Sequence, residues 1–203
     1  MGKGRLETFS DGVLAVAITL LAFNLHAGVR SKVPLATQIL QQWPSFAAYV
    51  LSFFIIGVIW LNHHYLFQLT TIIDRNLVIY NLLLLLFVVS IPYATTTLAD
   101  YALAGGADAR TAVLVYGVVM EGMALSRFLI PWHILRAGLH HSPIPQSEAR
   151  KLRWRYGLAV LIFPAITAIS MVTAAPMMLL LHAILVIYYL GPGLRPLEIN
   201  LQT

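Results

Sequence analysis

The sequence predicts an all-α membrane protein, six transmembrane helices in a single domain over residues 1–203. Composition gives the class. Hydrophobic residues make up 59% of the chain and charged residues only 10%, against about 25% charged in soluble domains. Mean hydropathy is +0.80. The pattern gives the count, because apolar runs bounded by polar or Pro/Gly-containing segments approach or exceed the roughly 17–25 residues that cross about 30 Å of hydrocarbon. Basic residues gather at the ends of those runs, where membrane topology uses them.

The first span is Arg5–Ala27. It is almost wholly apolar from Gly12 to Leu25, yet it opens with Arg5, Glu7, Ser10 and Asp11. Ionisable groups in a spanning helix are costly and mark structural pairing or an ion path, so this segment is more than an anchor. Asp11 interrupts the early apolar region, and the segment is expected to stay uncleaved. The following loop, Gly28–Gln42, is expected to hold a short amphipathic helix in PLATQILQQ. The second span is Trp43–Phe67, and the third, Leu77–Tyr101, contains Pro92. The fourth, Thr111–Leu135, carries Glu121 and Arg127. Those two stand about 240° apart round a helix, so each is expected to pair with another helix or a second subunit. Leu139–Arg155 reads as the main cytoplasmic loop, with Pro143, Pro145 and a basic run facing anionic headgroups. The fifth and sixth spans, Tyr156–Val172 and Ala175–Leu190, are separated only by Thr173 and Ala174. They read as a tight helical hairpin or one bent segment.

With six spans both termini lie on one side. That side holds nine basic residues: Lys3, Arg5, Arg75, Arg136, Arg150, Lys151, Arg153, Arg155 and Arg195. The other holds three, Arg30, Lys32 and Arg110. The excess favours both termini in the cytoplasm, and the multi-pass chain is expected in the inner (plasma) membrane. The net charge of +5 suggests nucleic acid at first sight, but this placement of charge argues for topology and against a nucleic-acid partner. There is no cysteine, hence no disulfide and no thiolate metal site. No Ser/His/Asp, HExxH or paired-carboxylate pattern stands in a recognisable frame. No catalytic residue or cofactor is expected.

At 100° per residue, Leu20 and Phe23 fall within about 40° of Val16, with Thr19 about 60° from it on the side away from Leu20. Asp11 lies about 140° from Val16. One face of the first helix is therefore apolar with a single hydroxyl, and Asp11 points off it, toward neighbouring helices. Taken alone, those apolar residues also suit ordinary packing or lipid contact, and Thr19 suits a bond to its own backbone. His63 and His64 are adjacent and point about 100° apart, which suits a polar network better than one metal ion. His140 and His141 are expected in a solvated loop. His26 is placed near the outer mouth.

Arg5-x-x-x-Phe9-Ser10-Asp11, followed by Gly12-Val13 and Ala17-Ile18-Thr19-Leu20-Leu21, resembles the first-helix signature of the lysosomal potassium channel family, transmembrane protein 175. Trp60-x-x-His63-His64 in the second span, and Asn81 and Pro92 in the third, resemble it too. The resemblance covers all six spans. Animal members carry two such six-helix units and bacterial members one. A single copy implies a homotetramer with four first helices round one pore, potassium and other monovalent cations being the permeant species. The resemblance also implies that Val16, Thr19 and Phe23 form the constriction, with Leu20 beside them. Here Val16 is smaller, and Phe23 larger, than the aliphatic residues usual there. The Phe9-Ser10-Asp11 element would brace the pore helix, with Arg5, Trp60, His63, His64 and Asn81 as partners.

The expected function is thus a potassium-preferring cation channel. No Thr-Val-Gly-Tyr-Gly filter is present, so selectivity would come from a narrow apolar throat with a hydroxyl ring at Thr19. The alternative is a small ion- or proton-coupled secondary transporter using Asp11, Glu121 and the histidines as a relay. The two halves show no convincing repeat, which counts against that alternative.

Overall fold

The computed structural model describes residues 2–23, 25, 33–141, 143–173 and 175–190. Seven helices follow one another among them: α1 (Lys3–Ala22), α2 (Leu35–Gln41), α3 (Trp43–Gln68), α4 (Arg75–Tyr101), α5 (Gly106–Ala137), α6 (Gln146–Val172) and α7 (Ala175–Leu190). By length and composition α3, α4, α5 and α6 can cross a membrane. α7 is apolar but has 16 residues, about 24 Å at 1.5 Å per residue. α1 has 20 residues and carries Lys3, Arg5, Glu7 and Asp11 in its first half.

Several boundaries differ from the sequence expectation. α1 ends at Ala22, with Phe23 as its C-cap and the Phe23 N–H bonded back to Leu20. The expected end at Ala27, together with His26, Arg30, Lys32, Ala174 and Arg195, lies outside the described residues. The segment expected as a cytoplasmic loop, Leu139–Arg155, is largely helix, because α6 starts at Gln146. Hydropathy marks only the part of a helix that matches the bilayer. Gln146, Glu148, Arg150, Lys151 and Leu152 are good helix formers whatever their charge, and Pro145 suits the start. His140 and His141 lie in the link after α5, as expected, His141 exposed and His140 half-buried, but the backbone there is tied down. Thr71 N–H donates to Leu139 O at 2.8 Å and His141 N–H to Leu69 O at 3.2 Å, tying the α3–α4 link to the α5–α6 link. α2 falls in the expected segment and buries no residue.

α1 packs on α3 and α4, α4 packs most extensively on α5, α5 on α6, and α7 closes against α3 and α6. Two glycines permit the close crossings. A Cβ on Gly122 would overlap the Phe87 ring of α4, and one on Gly117 the Thr167 side chain of α6. Small residues let helix backbones approach, which is the main source of association within a bilayer. α4 is started by Asp74, whose Oδ1 accepts the Leu77 N–H at 2.8 Å. The other Asp74 oxygen lies 2.7 Å from His133 Nε2 of α5. Burial pushes the Asp74 carboxyl up, but the Leu77 N–H and the His133 ring outweigh it and hold the group below its ordinary value.

Candidate functional site

α1 has two unlike faces. Leu6, Ser10, Leu14, Ala17 and Leu21 are buried against α3 and α4. On the other side Val16 is 54% exposed, Leu20 43% and Phe23 76%, and Thr19 is exposed among them. The Thr19 hydroxyl donates to Val16 O at 2.8 Å. Its proton is therefore directed along the helix, and its lone pairs remain available outward.

The buried face is held by a chain of neutral hydrogen bonds. Ser10 Oγ donates to Leu6 O at 2.8 Å and accepts from Asn81 Nδ2 of α4 at 2.9 Å. Asn81 Oδ1 meets His63 Nε2 of α3 at 2.8 Å. A carbonyl oxygen only accepts, so Nε2 carries the proton. The His63 ring stacks on Phe67 with centroids 4.3 Å apart. All three polar residues are buried. Asp11, at the edge of this face, accepts from Trp60 Nε1 at 3.0 Å. Ser52 and Thr95 add a hydroxyl pair between α3 and α4 at 2.7 Å.

Five of the residues named from the sequence for bracing thus meet: Ser10, Asp11, Trp60, His63 and Asn81. Three do not join them. Arg5 and Phe9 are exposed, since each lies within about 20° of Val16 round the helix and so turns with the open stripe. His64 is exposed, bonded to Gln68 Nε2 at 2.9 Å and stacked beside Trp60. Of the partners named, Asp11 meets the Trp60 indole and not the Arg5 guanidinium.

A second polar cluster forms round Arg127, which the sequence marked as pairing with another helix without naming the partners. Arg127 of α5 is 6% exposed, with its guanidinium 5.1 Å from the Tyr156 ring centroid and 5.3 Å from that of Tyr189. Its Nε is buried without a hydrogen-bond partner among the described residues. Asn62 Oδ1 accepts from Arg155 Nη2 at 3.2 Å and from the Tyr156 hydroxyl at 3.3 Å. His182 is buried between Tyr116 and Phe163, and its Nδ1 donates to Met178 O at 2.8 Å. Glu121 is half-buried, and its Oε2 likewise has no partner among the described residues. Groups of three or more His, Asp or Glu placed to hold a metal are absent among the described residues.

A potassium channel of Streptomyces collinus is 40% identical over 195 residues, covering 92% of this chain and 91% of its own length. The family model of the endosomal/lysosomal potassium channel TMEM175 matches residues 5–92. The chain belongs to the TMEM175 family. The fold agrees with a solved TMEM175 member. The crystal structure of a lysosomal potassium-selective channel TMEM175 homologue from Chamaesiphon minutus superposes with a TM-score of 0.82 at 30% identity, covering 93% of this chain and 96% of that one. The human relative, an endosomal/lysosomal proton channel TMEM175, is 33% identical over 103 residues, 46% of this chain and 20% of its own. The TMEM175 match takes in α1, α3 and α4 as far as Pro92. The whole Ser10–Asn81–His63 chain lies inside it, and the Arg127 cluster, apart from Asn62, lies beyond it.

Proposed function

We propose that this chain is the subunit of a homotetrameric, potassium-preferring cation channel with four copies of α1 round one pore. Each subunit would cross the inner (plasma) membrane six times, by α1 and α3–α7, with both termini cytoplasmic. The observation that carries the reading is the asymmetry of α1. One face is fastened to α3 and α4, while Val16, Thr19, Leu20 and Phe23 stand uncovered on the other. Family membership and the channel names of its relatives support the same reading.

The mechanism follows from the side chains. Rings of Val16, Leu20 and Phe23 leave an entering ion little to replace its water. Potassium holds its hydration shell less tightly than sodium, so it loses less there. Thr19 oxygens, with their protons turned to Val16 O, offer lone pairs that offset part of the loss. The four rings thus act as a throat and, when dewetted, as a gate. Ser10, Asp11, Trp60, His63 and Asn81 position α1 and do not touch the ion. No catalytic step and no resident cofactor is assigned.

Reversal potentials under bi-ionic potassium/sodium gradients, with unitary conductance, test this in planar bilayers. Thr19→Ala is expected to lower potassium preference by roughly 2–10-fold, the equivalent of a hydrogen bond's ~0.5–1.5 kcal/mol, with conduction retained. Phe23→Ala should raise unitary conductance, and Val16→Asn should raise leak. If none of the three shifts either quantity, the pore does not run along this face. Slow stoichiometric flux without unitary openings would turn the reading to the ion- or proton-coupled secondary transporter.

A further inference from the structure

At the end of the bundle where α4 turns into α5 and α6 into α7 lies a cavity of about 370 Å³. Most of its lining is apolar, supplied by Ala102, Leu103, Ala109, Val113, Met171 and Pro176. Three polar side chains line it as well: Arg110, Ser170 and Thr173, whose hydroxyl already donates to Ile169 O. The volume falls at the lower end of the roughly 300–1,000 Å³ of small-molecule sites.

Ser170 is the unusual member. Hydroxyls in these helices habitually bond to the carbonyl one turn back. Thr167 does so to Phe163 O and Thr173 to Ile169 O in the same helix, as do Ser90, Ser126 and Ser10 elsewhere. Ser170 is 3% exposed, and its Oγ has no hydrogen-bond partner among the described residues. A buried hydroxyl left unpaired in an apolar wall is unfavourable unless something else meets it. Arg110, five residues into α5, is exposed on the same cavity. Gly105 and Gly106 form the rim with φ of 70° and 63°, where side chains are strained, and the space a Cβ would take at either is open. The α4–α5 turn therefore leaves the mouth uncovered. The acidic residues at this end, Asp100 and Asp108, are exposed and do not line the cavity.

The place in the bundle selects the ligand. α4, α5 and α6 are long and apolar enough to span a bilayer, and the cavity lies where they end, at the level where lipid headgroups meet acyl chains. We propose that it is a site for one anionic phospholipid. The phosphodiester oxygens would face the Arg110 guanidinium and accept from Ser170 Oγ, and the upper part of an acyl chain would lie along Leu103, Val113 and Met171. A charged anchor beside an apolar slot fits an amphiphile better than a free anion, which would leave the apolar wall unused. The inference is independent of oligomeric state and of the ion conducted.

Native mass spectrometry of the full-length protein in detergent tests it, with phosphatidylglycerol, phosphatidylcholine or inorganic phosphate added. Wild-type protein should retain phosphatidylglycerol in preference to phosphatidylcholine, and inorganic phosphate at the same concentration should not displace it. Arg110→Gln and Ser170→Ala should each lower phosphatidylglycerol occupancy, Arg110→Gln by about tenfold. Neither removes a contact that holds the fold. Arg136→Gln, which alters an exposed arginine stacked on Trp132 at the opposite end, should leave occupancy unchanged. Equal occupancy in Arg110→Gln and wild type overturns the proposal. So does equal loss in Arg136→Gln, which would mean general charge attraction, and so does displacement by inorganic phosphate, which would mean a free-anion site.

Discussion

Two buried polar clusters hold this bundle together, and they are built on opposite principles. Round Asn81 every group is neutral, and the serine, amide and imidazole each find a partner within 2.9 Å. Round Arg127 a guanidinium lies against two tyrosine faces, with no carboxylate paired to it among the described residues. A satisfied neutral network costs little to bury and is directional. It suits the fixing of one helix at one rotation. A buried charge met by ring quadrupoles gains about 2 kcal/mol or more but loses solvation worth several kcal/mol. The first cluster therefore reads as a positioning device for α1. The second joins α3, α5, α6 and α7.

The largest expected effect breaks the first cluster. Asn81→Leu removes the acceptor of His63 Nε2 and the donor to Ser10 Oγ in one step. His63 Nε2 left unpaired costs about 1–3 kcal/mol, and Ser10 Oγ, which keeps its bond to Leu6 O, loses one contact worth about 1 kcal/mol, so the loss should be on the order of 2–4 kcal/mol. Thermal melts in detergent and single-channel recording should show lower stability and disturbed conduction together. If conduction is unchanged in protein that still folds, the rotation of α1 is not set by this chain.

A smaller effect is expected at its edge. Asp11→Ala leaves Trp60 Nε1 without its acceptor, but both groups touch the surface of the subunit and water can replace the bond. Interhelical hydrogen bonds in bilayers average about 0.6 kcal/mol, so a loss of roughly 1 kcal/mol is the expected size. A loss as large as that of Asn81→Leu would move the centre of the network from Ser10 to Asp11.

How much of this was legible before the fold was known depends on sequence distance. The turn of α1 was readable, because 100° per residue separates Asp11 from Val16 without any other information. Which residues could brace it came from the resemblance, but the pairing did not. Trp60 lies 49 residues from Asp11, and Asn81 lies 71 from Ser10. Arg5 was placed among the braces with the rest of the first-helix signature, yet the same angular rule sets it on the Val16 stripe. The Arg127 cradle needs Tyr156 of α6 and Tyr189 of α7 to converge, and nothing local in either helix announces it. The cytoplasmic loop was misjudged for a different reason: charge was taken as the end of a helix, when it marked only the end of the hydrocarbon.

The second cluster can be tested by deleting its charge. Arg127→Met keeps a long flexible side chain in the tyrosine cradle. It gives up the cation–π contacts but also the cost of burying a charge. The two nearly cancel, so stability should stay within about 1 kcal/mol of wild type and conduction should not change. A large loss of stability would mean that the guanidinium is held by more than the two rings. Altered selectivity would bring the cluster into the conduction path and undo the contrast with Asn81.

The smallest effect lies between the two types, at a carboxylate–imidazole contact that is not fully buried. Asp74 caps α4 and meets His133 of α5. Asp74→Asn keeps the cap, because asparagine caps about as well as aspartate. It removes only the charge beside His133, and the Asp74 side chain is about a third exposed, so water and salt screen that contact. The sign with pH follows from the carboxyl being held below its ordinary 3.8. A depressed folded value means the stabilisation is present above 3.8 and is lost as pH falls through the folded value. Wild type should therefore melt slightly higher than Asp74→Asn at about pH 5, and the difference should shrink as the pH is taken below 3.8. A gap that widens on acidification would reverse the sign and show that His133 does not favour the carboxylate. No gap at any pH would reduce Asp74 to its capping role, leaving the packing of α4 on α5 to Gly122 and its apolar neighbours.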